Sequence, residues 1–240
     1  MIKKTLLSLI LIASVSCGEL QQVIDQLPDG EGISEAEIGQ GLRQALNQGI
    51  ENQVTRLARE NGFYGNEAVR ILLPEQLQKV DRTLRSIGLG NLADEGLLLL
   101  NRAAEDAVGR ATPIFVDAIS GISFADARQI LLGDDDAATR YLEGRTATSL
   151  YNSFNPVIRE SFERGGADRV WEQLITRYNN IPLVDRVNPD LSDYVTQQAL
   201  EGVFLMIEQE ESEIRSSISS RTTVLMKRVF ALQDGFGTGQ

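Results

Sequence analysis

Carboxylates, hydroxyls and arginines are the reactive inventory of this 240-residue chain, which has no histidine and one cysteine, Cys17. Without imidazole there is no Ser-His-Asp triad, no histidine general base and no zinc or iron site that needs that ligand. Cys17 follows Met1-Ile-Lys-Lys-Thr and an apolar run that ends in Ser14-Val-Ser16, with Gly18 next. A positive end, a greasy run of roughly ten residues and small residues before the cut describe an export signal. A cysteine just after the cut is what bacterial lipoprotein signals carry, although Ser14 departs from their usual Leu, Val or Ala. There the thiol takes a diacylglyceryl group, so the expectation is lipidation at Cys17. No thiol nucleophile, disulfide or thiolate metal site would then remain. A transmembrane helix needs about twenty apolar residues, twice what this run supplies.

Four side chains could line a site: Arg70, Arg102, Glu105 and Glu201. Arg102 and Glu105 are three residues apart, and Arg102 and Asp106 four apart, so all three share a helix face. They follow Leu97–Leu100, and ionisable groups beside a core are either paired for structure or aimed into a pocket. Arg70 sits between Val69 and Ile71, and Glu201 shares a face with Glu208 beside the apolar run 200–207. Asp134-Asp-Asp136 could hold Ca²⁺ or Mg²⁺. Adjacent residues point apart, however, and acids at a helix start suit capping, so capping is the expectation and a metal is not. Arg221-Thr-Thr223 could hold an anion at a helix N-terminus or simply cap it, and the hydroxyl cap is the commoner use. The glycines at 88 and 90 and at 165 and 166 lack any phosphate-loop context and serve as helix stops. No catalytic residue, cofactor or metal is assigned.

Of 23 basic residues, 19 are arginine, and beyond the signal only Lys79 and Lys227 are lysines. Arginine's planar fork suits carboxylate or phosphate recognition, though it is often only a surface preference. The formal charge is −11, or −13 once residues 1–16 are removed. Nucleic acid is therefore excluded as a partner, because that binding runs on neutralising phosphates. The same charge repels anionic headgroups, leaving the lipid on Cys17 as the attachment to a membrane.

Helices must position these residues. Ser34 and Glu37 form a capping box ahead of Ile38, Leu42, Leu46, Ile50, Val54 and Leu57, a helix to about Glu60 stopped by Asn61-Gly62. Residues 63–73 are irregular, with a short strand conceivable over Ala68–Leu73. Pro74 opens a helix with Leu77, Val80, Leu84 and Ile87 inward. Leu92–Val108 follows, with its four leucines expected to be buried on most sides. Further helices are expected over 112–119, 123–133 behind a Ser123–Asp126 cap, and from Asp134 past Leu150. Asn155-Pro156 and Gly165-Gly166 bracket another, and 167–178 forms one around Trp171. A loop over 182–189 precedes Ser192–Arg215 and Arg221–Leu232. The fold class is all-α. The expected divisions are a signal peptide (1–16), lipidated cysteine and tether (17–33), one helical domain (34–232) and a flexible tail (233–240).

Several blocks, among them GLRQALNQGI (41–50), GFYGNEAVRILLPEQLQKV (62–80), TPIFVDAISGISFADARQILLGDDDAATRYL (112–142) and YVTQQALEGVFLMIEQEESEIR (194–215), carry a resemblance to a family of bacterial helical lipoproteins, domain of unknown function 4197. It spans nearly the whole chain after the signal. It implies a helical exported protein and carries over no catalytic residues. The expected function is a lipid-anchored module of the bacterial cell envelope that binds or scaffolds a partner protein or an apolar small ligand. Gly18 leans toward the periplasmic side of the outer membrane in a cell with two membranes. The alternative is a carboxylate-based hydrolase of envelope glycans, chemistry that needs neither histidine nor cysteine.

Overall fold

The computed structural model describes residues 32–86, 90–166, 176, 179, 180, 186 and 190–236. Eight α-helices lie among them: α1 Glu35–Leu57, α2 Glu75–Ser86, α3 Gly90–Val108, α4 Ala111–Ser120, α5 Phe124–Leu131, α6 Ala137–Gly165, α7 Leu191–Ser216 and α8 Val224–Phe236. A 3₁₀ turn, Ile218–Ser220, joins the last two, and there is no strand among the described residues. The fold is all-α, and these helices pack as one compact unit that begins at Glu35. Cys17, the tether up to residue 31 and the side chains of Val80, Leu84 and Ile87 lie outside the described residues, as do most of 167–178 and 182–189.

α1 buries Ile38, Leu42, Leu46, Ile50, Val54 and Leu57, the set recurring every three or four residues that its sequence marks as one face. It stops at Leu57. The chain then turns through Asn61, whose φ of 64° is the left-handed conformation an Asn-Gly pair supplies. α5 starts as its sequence demands, with the Ser123 hydroxyl accepting from Asp126 N–H and the Asp126 carboxylate reaching back to Ser123.

α6 is the central rod, with α7 and α3 along it and α4 beside it, while α1 lies on α7, α8, α5 and α4. The core between them holds Leu100, Phe115, Leu142, Leu150, Phe154, Ile158, Val195 and Val203, all fully buried. Phe115 meets Phe204 edge to face, with ring centroids 6.0 Å apart. Two glycines let neighbouring segments approach closely. A Cβ on Gly41 would stand 2.6 Å from Val229 Cγ2, and one on Gly202 would stand 2.8 Å from Phe63 Cε1.

Four local expectations are corrected. Asn155-Pro156 does not divide two helices, because α6 runs unbroken for 29 residues with Pro156 inside it. An interior proline costs about 3 kcal/mol. Phe154 and Ile158 flank it and are both fully buried, each contributing roughly 1.5–3 kcal/mol. Asn155 also donates to Thr196 Oγ1 at 3.1 Å, which ties the proline turn to α7. Of the four leucines 97–100, only Leu100 is fully buried, the other three being half-buried. Ala68–Leu73 is not a strand, although Val69, Ile71 and Leu73 point inward and Leu72 outward as in one. Finally, α8 runs to Phe236, past the position where a tail was expected.

Candidate functional site

Glu105 and Arg102, both on α3, serve the turn that follows α1. One Glu105 oxygen accepts the backbone N–H groups of Phe63 (3.1 Å) and Tyr64 (3.2 Å), and the other accepts from Arg102 Nη1. Arg102 Nη2 donates to Glu60 (2.9 Å) and to Asn61 Oδ1 (3.1 Å). Next door, Asn101 accepts from Ile71 N–H and donates to Ile71 C=O, both at 2.9 Å, as a strand partner would. Asn101 and Glu105 thus satisfy backbone groups of the loop over 58–73, and Arg102 ties Glu105 to that loop's side chains. Asp106 faces elsewhere, toward Ser161 Oγ at 2.7 Å and Arg164 at 3.5 Å.

Arg70 lies on the same loop with its guanidinium 4.2 Å from the centre of the Tyr64 ring, a cation–π contact. Glu201 is exposed on α7 and accepts from Gln198 at 2.7 Å. Arg70, Arg102 and Glu105 are brought to one loop, and Glu201 is not. None of the four lines the groove described below. Two turns before Glu201, Tyr194 donates to Leu72 C=O at 2.8 Å. Burial, followed by the Glu201 charge, pushes the Tyr194 phenol up.

A second buried cluster has no counterpart among the residues picked from the sequence. Glu211, on α7, accepts from Ala138 N (2.9 Å), Thr139 N (2.8 Å) and Thr139 Oγ1 (2.7 Å) at the N-terminus of α6. Asp136, at the N-cap position, makes no side-chain cap bond. This corrects the capping reading of Asp134–Asp136: Asp134 and Asp136 instead pair with Arg140 at 2.7 and 3.2 Å. Arg215 sits one turn after Glu211, pairs with it at 2.8 Å and donates to the last carbonyls of α5, Ile130 (2.9 Å) and Leu131 (3.1 Å).

Arg221 is 2% exposed. It donates to Ile214 and Arg215 C=O at the end of α7 and pairs with Asp234 at 2.7 Å. Its commitments leave no fork for an external anion, and Thr223 caps α8 by accepting from Met226 N–H at 3.1 Å. Arg43 likewise donates to Ile122 C=O at 2.6 Å. Arg215 and Arg221 thus both serve the carbonyl ends of helices, where a planar fork fits two acceptors at once. The spacing of Glu211 and Arg215 on the apolar face of α7 was the signal available in the sequence.

Two spaces adjoin these helices. The first, between α1, α7 and α8, has an accessible volume of about 20 Å³ beside Leu46, Ile207, Glu211 and Phe230, room for roughly one water. The second is a surface groove of about 500 Å³ between α4 and α6, lined by Pro113, Ile114, Asp117 and Ala118 on one side and Tyr141, Arg145, Thr146 and Ser149 on the other. Arg145 lies 5.3 Å from the centre of the Tyr141 ring. No group of three or more His, Cys, Asp or Glu able to hold a metal occurs among the described residues. No helix among them is long and apolar enough to cross a membrane.

No curated protein and no solved structure matches the chain. A family model does, over residues 32–231, from the start of the described residues to within the last turns of α8. The chain belongs to that family, described as a protein of unknown function (DUF4197).

Proposed function

We propose that this protein is a non-enzymatic binding or scaffolding module, held on a membrane of the bacterial envelope by lipid on Cys17. The observation that carries the non-enzymatic reading is the state of the two buried acids. Glu105 and Glu211 each have both oxygens engaged by backbone N–H groups, a threonine hydroxyl or an arginine. A carboxylate that holds a helix end or a turn in place is not available as a general acid or base. The glycan hydrolase alternative therefore gains no support from the buried carboxylates.

An apolar ligand in the core is equally poorly served. The space of about 20 Å³ between α1, α7 and α8 is far below the 300–1,000 Å³ of ordinary ligand pockets. Binding is assigned to the surface, to a partner protein or to a small molecule in the α4/α6 groove. Attachment rests on the export signal, on Cys17 and on an acidic body that anionic headgroups repel. The outer membrane, periplasmic side, is the proposed location in a cell with two membranes.

The test is fractionation of cells expressing the chain with and without Cys17→Ala, followed by metabolic labelling with a fatty acid. The wild type is expected in the membrane pellet with label, and the variant in the soluble envelope fraction without it. An unlabelled wild type, or a variant that pellets equally after a carbonate wash, would falsify the anchoring. Partners are then sought among the proteins that co-purify with the detergent-extracted wild type.

A further inference from the structure

We propose that the groove between α4 and α6 binds a short free peptide of two or three residues, with Arg145 taking its carboxylate and Asp117 its ammonium group. The proposal names a ligand class for the binding role above and rests on that role. It does not depend on where the chain is anchored.

Two opposite charges line the groove, one from each helix, and neither has an ion-pair partner among the described residues. Arg145 is held over the face of Tyr141, a contact that restrains the side chain while leaving the in-plane N–H groups of its fork able to accept a carboxylate. Asp117 belongs to the facing helix and is not within ion-pair distance of Arg145, so the two charges do not neutralise each other. The hydroxyls of Tyr141 and Ser149 are likewise without partners among the described residues. Pro113, Ile114 and Ala118 supply apolar wall between these polar groups. Polar and apolar residues thus share the lining, which suits a zwitterion with an apolar middle.

The charge of the whole protein selects among ligands. A body at −13 after loss of residues 1–16 repels polyanions, and one arginine facing an aspartate across the groove is a poor host for a phosphate ester. A zwitterion has no net charge and meets no such barrier. Length selects too. The groove, at about 500 Å³, has far more room than one amino acid fills. A tripeptide spans about 10 Å when extended and can place its ends on both helices.

Isothermal titration of the purified, detergent-extracted whole chain with trialanine tests this, alongside N-acetyl-trialanine and trialanine amide. Trialanine is expected to bind, with either capped form at least tenfold weaker. Arg145→Gln should weaken trialanine and erase its advantage over the amide. Asp117→Asn should do the same for the N-acetyl form. Both residues are exposed, so melting temperatures should stay at the wild-type value. Ala118→Trp, which fills the groove, should abolish binding. No heat with trialanine at millimolar concentration, equal binding of all three probes, or wild-type affinity in Ala118→Trp would each overturn the proposal. A loss of lipid attachment would leave these titrations unchanged, so the two readings fail separately.

Discussion

Glu211 and Arg215 stand one helical turn apart on α7 and hold opposite ends of two other helices. The carboxylate takes the N–H groups that open α6, and the guanidinium takes the carbonyls that close α5. The pair places each charge where a helix dipole favours it, negative at an N-terminus and positive at a C-terminus. Both members are buried, so neither the pairing nor the capping is screened by solvent.

Removing Glu211 alone should therefore cost at least as much as removing both. Glu211→Ala leaves Arg215 charged and buried and frees two α6 N–H groups, with an expected loss of about 3–5 kcal/mol. Arg215→Met should cost less, because Glu211 keeps its three donors from α6. The double variant should be no worse than Glu211→Ala alone. Urea melts of the three proteins give the coupling energy, and strict additivity would mean the pair is not an energetic unit.

The clamp on the loop after α1 makes a second prediction. Glu105→Ala strands the N–H groups of Phe63 and Tyr64 and should destabilise by about 2–4 kcal/mol. Arg102→Ala should cost roughly 1–2 kcal/mol, since Glu105 retains both backbone donors. Glu201→Ala should lie within about 0.5 kcal/mol of wild type, as an exposed residue with one local partner does. An Arg102→Ala protein as stable as wild type would mean that the arginine does not brace the loop.

Gly202 permits the contact between α7 and the Phe63 ring, and Gly202→Val should push the two apart. A Cβ there already falls 2.8 Å from Phe63 Cε1 and 3.3 Å from Val69 Cβ. The expected loss is about 1–3 kcal/mol, the range for overpacking, read from the midpoint of a denaturant melt. Gly144→Val has open space beside it, and valine is the better helix former, so this variant should be neutral or slightly stabilised.

Tyr194 predicts behaviour in alkali. Its folded-state pKa lies above the ordinary 10.0, raised by burial and then by Glu201. The protonated phenol therefore adds stability that is complete below pH 10 and is lost as pH rises through the raised value. Tyr194→Phe loses the bond to Leu72 C=O and should melt lower than wild type at neutral pH by about 0.5–1.5 kcal/mol. The gap should close as pH climbs past the folded pKa. A gap that stays constant across that range would show the phenol does not ionise there.

Most helices were legible in the sequence because their signals are local. Ser123 and Asp126 cap α5 from three residues apart, and Asn61 ends the turn after α1 by its own backbone preference. What escaped was set at a distance. Asp134–Asp136 looked like the cap of α6, but the oxygens that perform the task come from Glu211, more than 70 residues further on. Pro156 read as a break because the rule for proline is local, whereas burial of Phe154 and Ile158 is decided by α3 and α7. Ala68–Leu73 alternates like a strand, and its partners are side chains, Asn101 at Ile71 and Tyr194 at Leu72. Arg102 and Glu105 were recognised as a pair, but what they hold could not be seen from α3 alone.

The distance between caps and capped ends also sets an order in time. Ala138, Thr139, Ile130 and Leu131 lie 72–85 positions before the side chains that satisfy them. At about 5–20 residues per second of synthesis, that separation is roughly 4 to 17 seconds. During this interval the facing ends of α5 and α6 have only water to bond. The middle of the chain cannot lock until its last fifth has emerged, so a nascent chain built this way stays pliable for most of its synthesis.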